Sequence, residues 1–433
     1  MKQSVLIILL WASNLVFPQE GDPNRECVFE LNASLIHNAI NDNKLHISHA
    51  NDIYGNGLLT TAALSFKNVK IVNSMFGSLN KVDAIRGNDA KFAGVYGYTH
   101  LAFIEYSNNF IDLNYGRSFV ELGNGKFSNL LVSNYSRPFD QIQLKFKYRS
   151  YSLRSNVIQL ESIGDSKRYL SFHTLEYSNK KLQLLAGESV LIAGENRSFE
   201  LQYFNPMMVW LPEQVNVSTG SGNSMLFGSI KYVSTPTLSF WGELLIDDYQ
   251  INNESKGDLE PNEIGFLGGV EKTGWPFESS NFWFEYTRIT NRTYQTPDIS
   301  ETYTHRGFPI GHYLGNDFDM IQLYYSQENM KGKLKPYISL AYVRDGANGL
   351  DTPFDTPWED STVTMTTGYS EPFPTGPITY VTEIELAADY KFGNDSFINA
   401  GLFYQRKTLS GKTDEEFSFR ARLWFSLDKT FTY

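Results

Sequence analysis

Residues 114–148 read NYGRSFVELGNGKFSNLLVSNYSRPFDQIQLKFKY, and the end of this stretch decides how the chain is interpreted. Apolar side chains occupy every second position there: Ile142, Leu144, Phe146 and Tyr148 alternate with Gln141, Gln143, Lys145, Lys147 and Arg149. A period of two places the two sets on opposite faces of a β-strand. An exposed strand of a soluble sandwich tolerates this pattern. If the pattern recurs along the chain, however, it predicts a wall with lipid on one side and water on the other.

The alternation does recur, at residues 237–246, 281–289, 378–392 and 417–427. These runs are about 9–15 residues long, whereas strands of soluble proteins are usually about 5–6 residues long. At about 20 residues per strand and connection, the chain accommodates about 16–18 strands. The sequence therefore predicts an all-β fold, a transmembrane antiparallel β-barrel of about 16–18 strands with a small N-terminal plug or periplasmic segment.

Composition and charge agree with a barrel. The 433 residues include 26 Tyr and 31 Phe, an aromatic content that suits girdles at both membrane interfaces. The only long apolar run lies at the start of the chain, which argues against a bundle of membrane-spanning helices. A formal net charge of −11 argues against a nucleic-acid-binding surface.

Three regions are predicted along the chain. Residues 1–19 resemble a secretory signal peptide, residues 20–90 a plug or periplasmic segment, and residues 91–433 the barrel. Cys27 is the single cysteine, so no intrachain disulfide forms. The terminal Tyr433 follows alternating apolar residues, as in chains delivered to the barrel insertion machinery. The predicted location is the bacterial outer membrane, with outer-membrane lipid as a partner and no nucleic acid.

The stretch at 114–148 contains four specific motifs. They are Gly116-Arg117, the run ELGNG at 121–125, NLLVSN at 129–134 and RPF at 137–139. Two more lie downstream: GENRS at 194–198 followed by YFNP at 203–206, and HRGFPIGHYLG at 305–315. Together they resemble the Wzi-type capsule assembly proteins, although the turn Leu-Gly-Asn-Gly lacks the Trp and Pro of the family's Trp-Gly-Pro-Gly-like turn.

The resemblance implies a barrel of about 18 strands that is plugged from the periplasmic side. It also implies non-catalytic binding of an exported surface polysaccharide, in capsule or exopolysaccharide assembly. Relatives from gliding bacteria imply a link to surface adhesion and movement. The glycines of the motif, Gly116, Gly123 and Gly125, are expected in turns that need a positive φ.

Sugar recognition needs flat apolar faces and polar groups that bind hydroxyls or carboxylates. The candidate polysaccharide-binding residues are Arg117, Glu121, Asn134, Arg137, Arg197, Trp210, Trp275 and Trp358. Two alternatives remain open. The tryptophans also suit an interfacial girdle, and Arg117 with Glu121 also suits an ion pair inside the lumen.

Catalysis, a cofactor and a metal site are not predicted. Asp247-Asp248 and the histidines His173, His305 and His312 show no spacing that pairs a base with a nucleophile. His46 and His49 lack further ligands at metal-binding spacing. The alternative function is an outer-membrane porin or substrate-uptake channel, which would have an open lumen.

Overall fold

The computed structural model describes residues 27–38, 56–79, 91–92, 94–133, 135–210, 222–251, 254–393 and 395–432. Within these ranges the chain forms a closed barrel of 18 antiparallel strands. Each strand pairs with the next, and the last pairs with the first to close the barrel. The predicted fold class is therefore confirmed.

The strands of the barrel are β1 (Cys27–Asn38), β2 (Gly57–Phe66), β3 (Val69–Ser78), β4 (Val95–Ser107), β5 (Ile111–Ser118), β6 (Phe139–Tyr148), β7 (Tyr151–Gln159), β8 (Lys167–Ser178), β9 (Leu182–Gly194), β10 (Asn223–Thr235), β11 (Leu238–Asp248), β12 (Glu263–Thr273), β13 (Ser280–Ile289), β14 (Phe318–Gln327), β15 (Leu334–Asp345), β16 (Thr379–Lys391), β17 (Phe397–Leu409) and β18 (Lys412–Thr432). Lys91–Phe92 pairs only with β4, and Thr304–His305 forms a small hairpin with Phe308–Pro309.

The helical segments of the described chain are short 3-10 turns: Leu201–Phe204, Lys256–Leu259, Ile299–Glu301, Met330–Gly332 and Pro357–Glu359. None of the described helices is long and apolar enough to cross a membrane.

The alternation in the sequence corresponds to the two faces of the wall. In β11, Phe240 and Leu244 are 42% and 45% exposed on the outer face, whereas Trp241, Glu243 and Leu245 are buried on the inner face. Strands β6, β13 and β16 repeat this arrangement. Apolar side chains thus cover the outside, and polar and mixed side chains line the inside.

The prediction that residues 20–90 form a plug or periplasmic segment is wrong for the described part of that range. Strand β1 pairs with both β2 and β18, so β1–β3 complete the wall. The alternation is hard to see here because inward positions also carry apolar side chains. Ile36, Leu59 and Phe76 pack against Tyr98 inside the barrel. Residues 1–26, which include the predicted signal peptide, lie outside the described residues.

The two ends of the barrel differ in their connections. One end carries the long loops, including residues 119–138, 195–222, 249–262, 290–317 and 346–378. The other end carries connections such as Lys67-Asn68 and also both ends of the described chain. Outer-membrane barrels have short turns at the periplasm and long loops outside the cell, so the long loops lie at the extracellular end.

The lumen is filled by residues 119–133 and 290–317, which we call the plug. Leu130, Leu131 and Val132 are fully buried, and they pack in one cluster with inward-facing residues of the wall such as Phe172 and Leu267. In the described residues the plug therefore comes from two extracellular loops. The expected plugging from the periplasmic side is not what this part of the chain shows.

Candidate functional site

Two inward-facing carboxylates hold the first plug loop. Glu243 of β11 accepts three backbone N–H groups, from Asn124 at 2.5 Å, Gly125 at 2.9 Å and Leu130 at 2.9 Å. Glu285 of β13 accepts the backbone N–H of Lys126 and the indole N–H of Trp241, at 2.8 and 2.7 Å. Carboxylates that accept several N–H groups bind a loop tightly, because each hydrogen bond is charge-assisted.

Each glycine of the motif lies where a larger residue would be strained or would clash. Gly116 and Gly123 have φ values of 120° and 137°, so the expected positive φ is confirmed for both. A Cβ on Gly123 would also overlap the carboxylate of Glu243. The prediction is wrong for Gly125, whose φ is not positive; this glycine is required for space, because its Cβ would overlap the carbonyl of Ser128.

The two sequence motifs that lie furthest apart meet inside the barrel. The backbone N–H of Ser133 donates to the carbonyl of Ile310 at 2.9 Å, and that of Tyr313 donates to the hydroxyl of Ser128 at 3.2 Å. The hydroxyl of Tyr294 donates to the carbonyl of Leu130 at 2.5 Å. The stretches 129–133 and 305–315 are thus adjoining parts of one plug.

A residue that the sequence did not single out, Arg168, fastens the second plug loop to the wall. It is 1% exposed and donates to the carbonyls of Ser300, Thr302 and Thr304, at 2.5 Å for Ser300 and 3.1 Å for Thr304. Arg168 lies on the inward face of β8, as does the apolar Leu170. This position could have identified it from the sequence, because a buried arginine needs hydrogen-bond acceptors.

The extracellular loops are tied together by Arg292. Its guanidinium forms ion pairs with Asp355 at 2.7 Å and Glu371 at 3.0 Å, and it lies 4.9 Å from the ring centre of Trp358. Burial disfavours the charge, but the two carboxylates outweigh that effect and raise the pKa of Arg292. Lys256 adds a second tie by donating to the carbonyl of Glu359 at 2.8 Å.

Among the predicted site residues, Arg117 pairs with Asp140 through two hydrogen bonds of 2.8 and 2.6 Å, instead of pairing with Glu121. Strand alternation places Asp140 on the outer face with Ile142. Glu121 is exposed and accepts a hydrogen bond from the amide of Asn129 at 3.0 Å. Asn134 lies outside the described residues.

Two further predicted arginines have partners within the loops. The guanidinium of Arg137, which is 5% exposed, stacks 3.8 Å from the ring centre of Phe308. Arg197 forms an ion pair with Glu200 at 2.9 Å. Arg137 thus lies in the loop after β5 and Arg197 in the loop after β9, so these two arginines belong to different loops.

The three predicted tryptophans lie far apart in the fold. Trp210 is 1% exposed under the loop that follows β9, and Trp358 is 3% exposed against Arg292. Neither has an open ring face for a sugar. Trp275 is 58% exposed, but it lies in the turn between β12 and β13, at the opposite end from the long loops. That position is typical of an interfacial tryptophan.

The residue types of a hydrolase do come together on one part of the wall, at Ser171, His173 and Glu188. The His173 ring lies 3.7 Å from Glu188. The hydroxyl of Ser171 forms no hydrogen bond with His173, and Ser171 is fully buried, so this arrangement offers no accessible nucleophile. In the plug, burial lowers the pKa of His305 and of His312 to about 3, which keeps both neutral. Within the described residues, no group of three or more potential ligands could hold a metal ion.

The family model of the capsule assembly protein Wzi matches residues 178–418, more than half of the chain. The chain belongs to this family. Its resemblance to the Wzi-type proteins is thereby confirmed, and so is its location in the outer membrane.

The structure of Wzi from Escherichia coli is similar to this chain, with a TM-score of 0.62 at 15% sequence identity over 92% of this chain and 84% of the other. That protein is described as an outer membrane protein involved in group 1 capsule assembly and as a carbohydrate-binding β-barrel. OccD3 of Pseudomonas aeruginosa gives a TM-score of 0.48 at 10% identity, covering 94% of this chain and 92% of the other. No curated protein matches the sequence.

In this Wzi-family barrel, the sequence motifs have structural roles. Three of the motif stretches, at 121–125, 129–133 and 305–315, lie in the plug, and the stretch after Gly194 forms the start of the loop after β9. The motif thus marks the contacts that close this Wzi-family barrel.

Proposed function

We propose that this Wzi-family barrel binds a surface polysaccharide at its extracellular end without cleaving it, and that it helps to hold the polymer on the cell. The filled lumen carries this proposal. A barrel that transports solutes needs an open path, whereas here two loops occupy the interior and are hydrogen-bonded to the wall through Glu243, Glu285 and Arg168.

The extracellular end supplies a platform for a polymer. The loops at 290–317 and 346–378 are joined through Arg292, and Lys256 joins the loop at 249–262 to them. Connected loops lose little freedom on binding, which favours affinity. The exposed side chains on this platform include Tyr249 at 53% and Asp355 at 60%. An exposed tyrosine offers a flat face to a sugar ring, and a carboxylate accepts hydrogen bonds from hydroxyls.

We extend the proposal to surface adhesion and gliding, because a polymer held on the cell is the layer that first touches a surface. We also propose that the barrel insertion machinery and outer-membrane lipid are partners of this protein. Of the candidate sugar-binding residues, Glu121 stays in the proposal because it is exposed.

The test combines two measurements on one detergent-purified sample. Surface polysaccharide from the source cells is passed over immobilised protein, and the same sample is inserted into planar lipid bilayers for conductance recordings. We expect retention of the glycan at unchanged length and a closed barrel. An open channel without glycan retention would favour the porin alternative, and shortened glycan would show catalysis.

Matched variants locate the binding surface. Tyr249→Ala is expected to weaken glycan retention several-fold. Phe110→Ala is the control, because Phe110 is 67% exposed but lies in a turn at the periplasmic end. Equal losses in both variants would place the glycan elsewhere.

A further inference from the structure

Part of the loop after β9 lies against the outside of the barrel. Leu191 of β9 faces the lumen, so its neighbours Val190 and Ile192 face outward. They are nevertheless only 3% and 1% exposed, because they form a separate cluster with residues of the loop. The covering segment is residues 199–210, which we call the strap. Its side chains in this cluster are Phe199, Tyr203, Met208 and Trp210.

The wall beneath the strap is unsuited to lipid. One row across neighbouring strands, all on the outer face, consists of Leu144, Ser155, His173, Glu188 and Leu226. The two leucines at its ends are the kind of residue that faces acyl chains, and Leu226 is 43% exposed. The three residues between them are polar. Since they lie between the leucines in the row, they are at the height of the apolar belt.

The strap gives these polar groups partners. The hydroxyl of Ser155 donates to the carbonyl of Phe204 at 2.8 Å, and the backbone N–H of Trp210 donates to Glu188 at 3.0 Å. The ring of Trp210 lies 4.3 Å from that of His173. Burying such groups without partners would be costly, so the strap completes this part of the wall.

Three large apolar side chains of the strap are open, beside the exposed polar side chains of Gln202 and Asn205. Leu201, Met207 and Val209 are 80%, 76% and 63% exposed. They continue the apolar surface of the barrel, where Leu175 and Leu226 are 56% and 43% exposed on the strands beside the strap. In water, three such side chains in one short segment would be unfavourable.

Part of the backbone of the strap is also hydrogen-bonded within the protein. Irregular segments are excluded from hydrocarbon when their N–H groups lack partners. Here the N–H groups of five strap residues are hydrogen-bonded within the protein, those of Tyr203, Asn205, Met207, Met208 and Trp210.

We propose that the strap is embedded in the membrane, with Leu201, Met207 and Val209 in contact with lipid acyl chains. The occupant of this face is lipid because the face continues the lipid-facing belt of the barrel at the same height. An extracellular loop thus becomes part of the membrane-facing wall and seals its polar section.

The test uses spin labels on single cysteines in a Cys27→Ser background, with the protein in dioleoylphosphatidylcholine vesicles. Met207→Cys reports on the strap, Leu175→Cys on the lipid-facing wall, and Asp355→Cys on the aqueous platform. Collision with oxygen reports lipid exposure, and collision with a water-soluble nickel complex reports water exposure.

We expect the label at 207 to match the label at 175, with nickel collisions several-fold fewer than at 355. A label at 207 that behaves like the one at 355 would overturn the proposal. If Met207→Cys does not fold, Val209→Cys provides the same comparison. In addition, Glu188→Ala is expected to increase the mobility of the strap label, and unchanged mobility would contradict docking through Glu188.

Discussion

The carboxylate of Glu243 is one of the two that hold the first plug loop in place. It is 2% exposed and accepts three backbone N–H groups from the loop. Removing it leaves the N–H groups of Asn124 and Leu130 without this acceptor, at a cost of about 1–3 kcal/mol for each donor that stays unpaired. The N–H of Gly125 keeps the side-chain oxygen of Asn129 as an acceptor.

We therefore expect Glu243→Ala to loosen the plug and to make the barrel conduct ions in planar bilayers. The thermal unfolding midpoint of the purified protein should fall as well. Asn399→Ala is the matched control, because Asn399 also points inward but is bonded only to the wall residues Tyr337 and Asp389. Conduction by the Asn399 variant, or a closed Glu243 variant, would contradict this role.

Gly123 lies in the first plug loop, directly against the carboxylate of Glu243. Gly123→Ala is expected to destabilise the plug, since its φ of 137° is unfavourable for alanine and the added Cβ overlaps Glu243. Gly349→Ala should be neutral, as its added Cβ meets no atom within 4 Å. Limited proteolysis of the two variants in detergent should show faster cleavage within residues 119–133 for Gly123→Ala only.

Among the elements, the extracellular loops carry the charges that respond to pH. Burial raises the pKa of Glu260 to about 7; Asp248 and Glu359 contribute to the rise and Arg292 opposes it. In the unfolded chain this group titrates near 4.5. Between these two values the folded loop binds more protons than the unfolded chain, so the stability of the loop falls as the pH rises.

The loop at 249–262 should consequently open more often at pH 8 than at pH 5. Hydrogen exchange of its described residues, corrected for the intrinsic pH dependence of exchange, measures this opening. Glu260→Gln should remove most of the difference, whereas Glu254→Gln, at an exposed position, should retain it. A pH dependence that persists in Glu260→Gln would assign the effect to another group.

The barrel as a whole is wide enough to conduct, and among the described residues it is the loops that close it. Barrels of 16–18 strands leave an aqueous channel when their interior is empty. Here a large cluster of plug and wall side chains fills that space. A closed barrel and an open porin of this size can thus have the same kind of wall, and they differ in whether loops fill the interior.

Replacing residues 120–136 by a short Gly/Ser linker should open the lumen and give large, steady conductance in planar bilayers. The same replacement of residues 254–259 should leave the barrel closed, because that loop lies at the rim. If the first replacement remains closed, residues 290–317 alone suffice to block the lumen.

Most of the wall could be predicted from the residues alone, although strands β1–β3 could not. The period of two in segments such as 139–148 and 378–392 correctly predicted strands with one apolar face, since lipid outside and polar groups inside impose opposite requirements on alternate residues. The positive φ of the motif glycines at 116 and 123 was likewise predicted correctly, although Gly116 lies within strand β5 and not in a turn. Both signals are local, so neighbouring residues are enough to read them.

Long-range packing selects which loops form the plug and which residues meet. Residues 27–38 and 56–79 belong to the wall because they pair with distant β18 and with each other. Glu243 meets the plug across 113 positions to Leu130, and Trp210 is buried against the outer wall and has no open face for sugar. These contacts join residues far apart in the chain, and no local pattern encodes which inward or outward side chain a returning loop will cover.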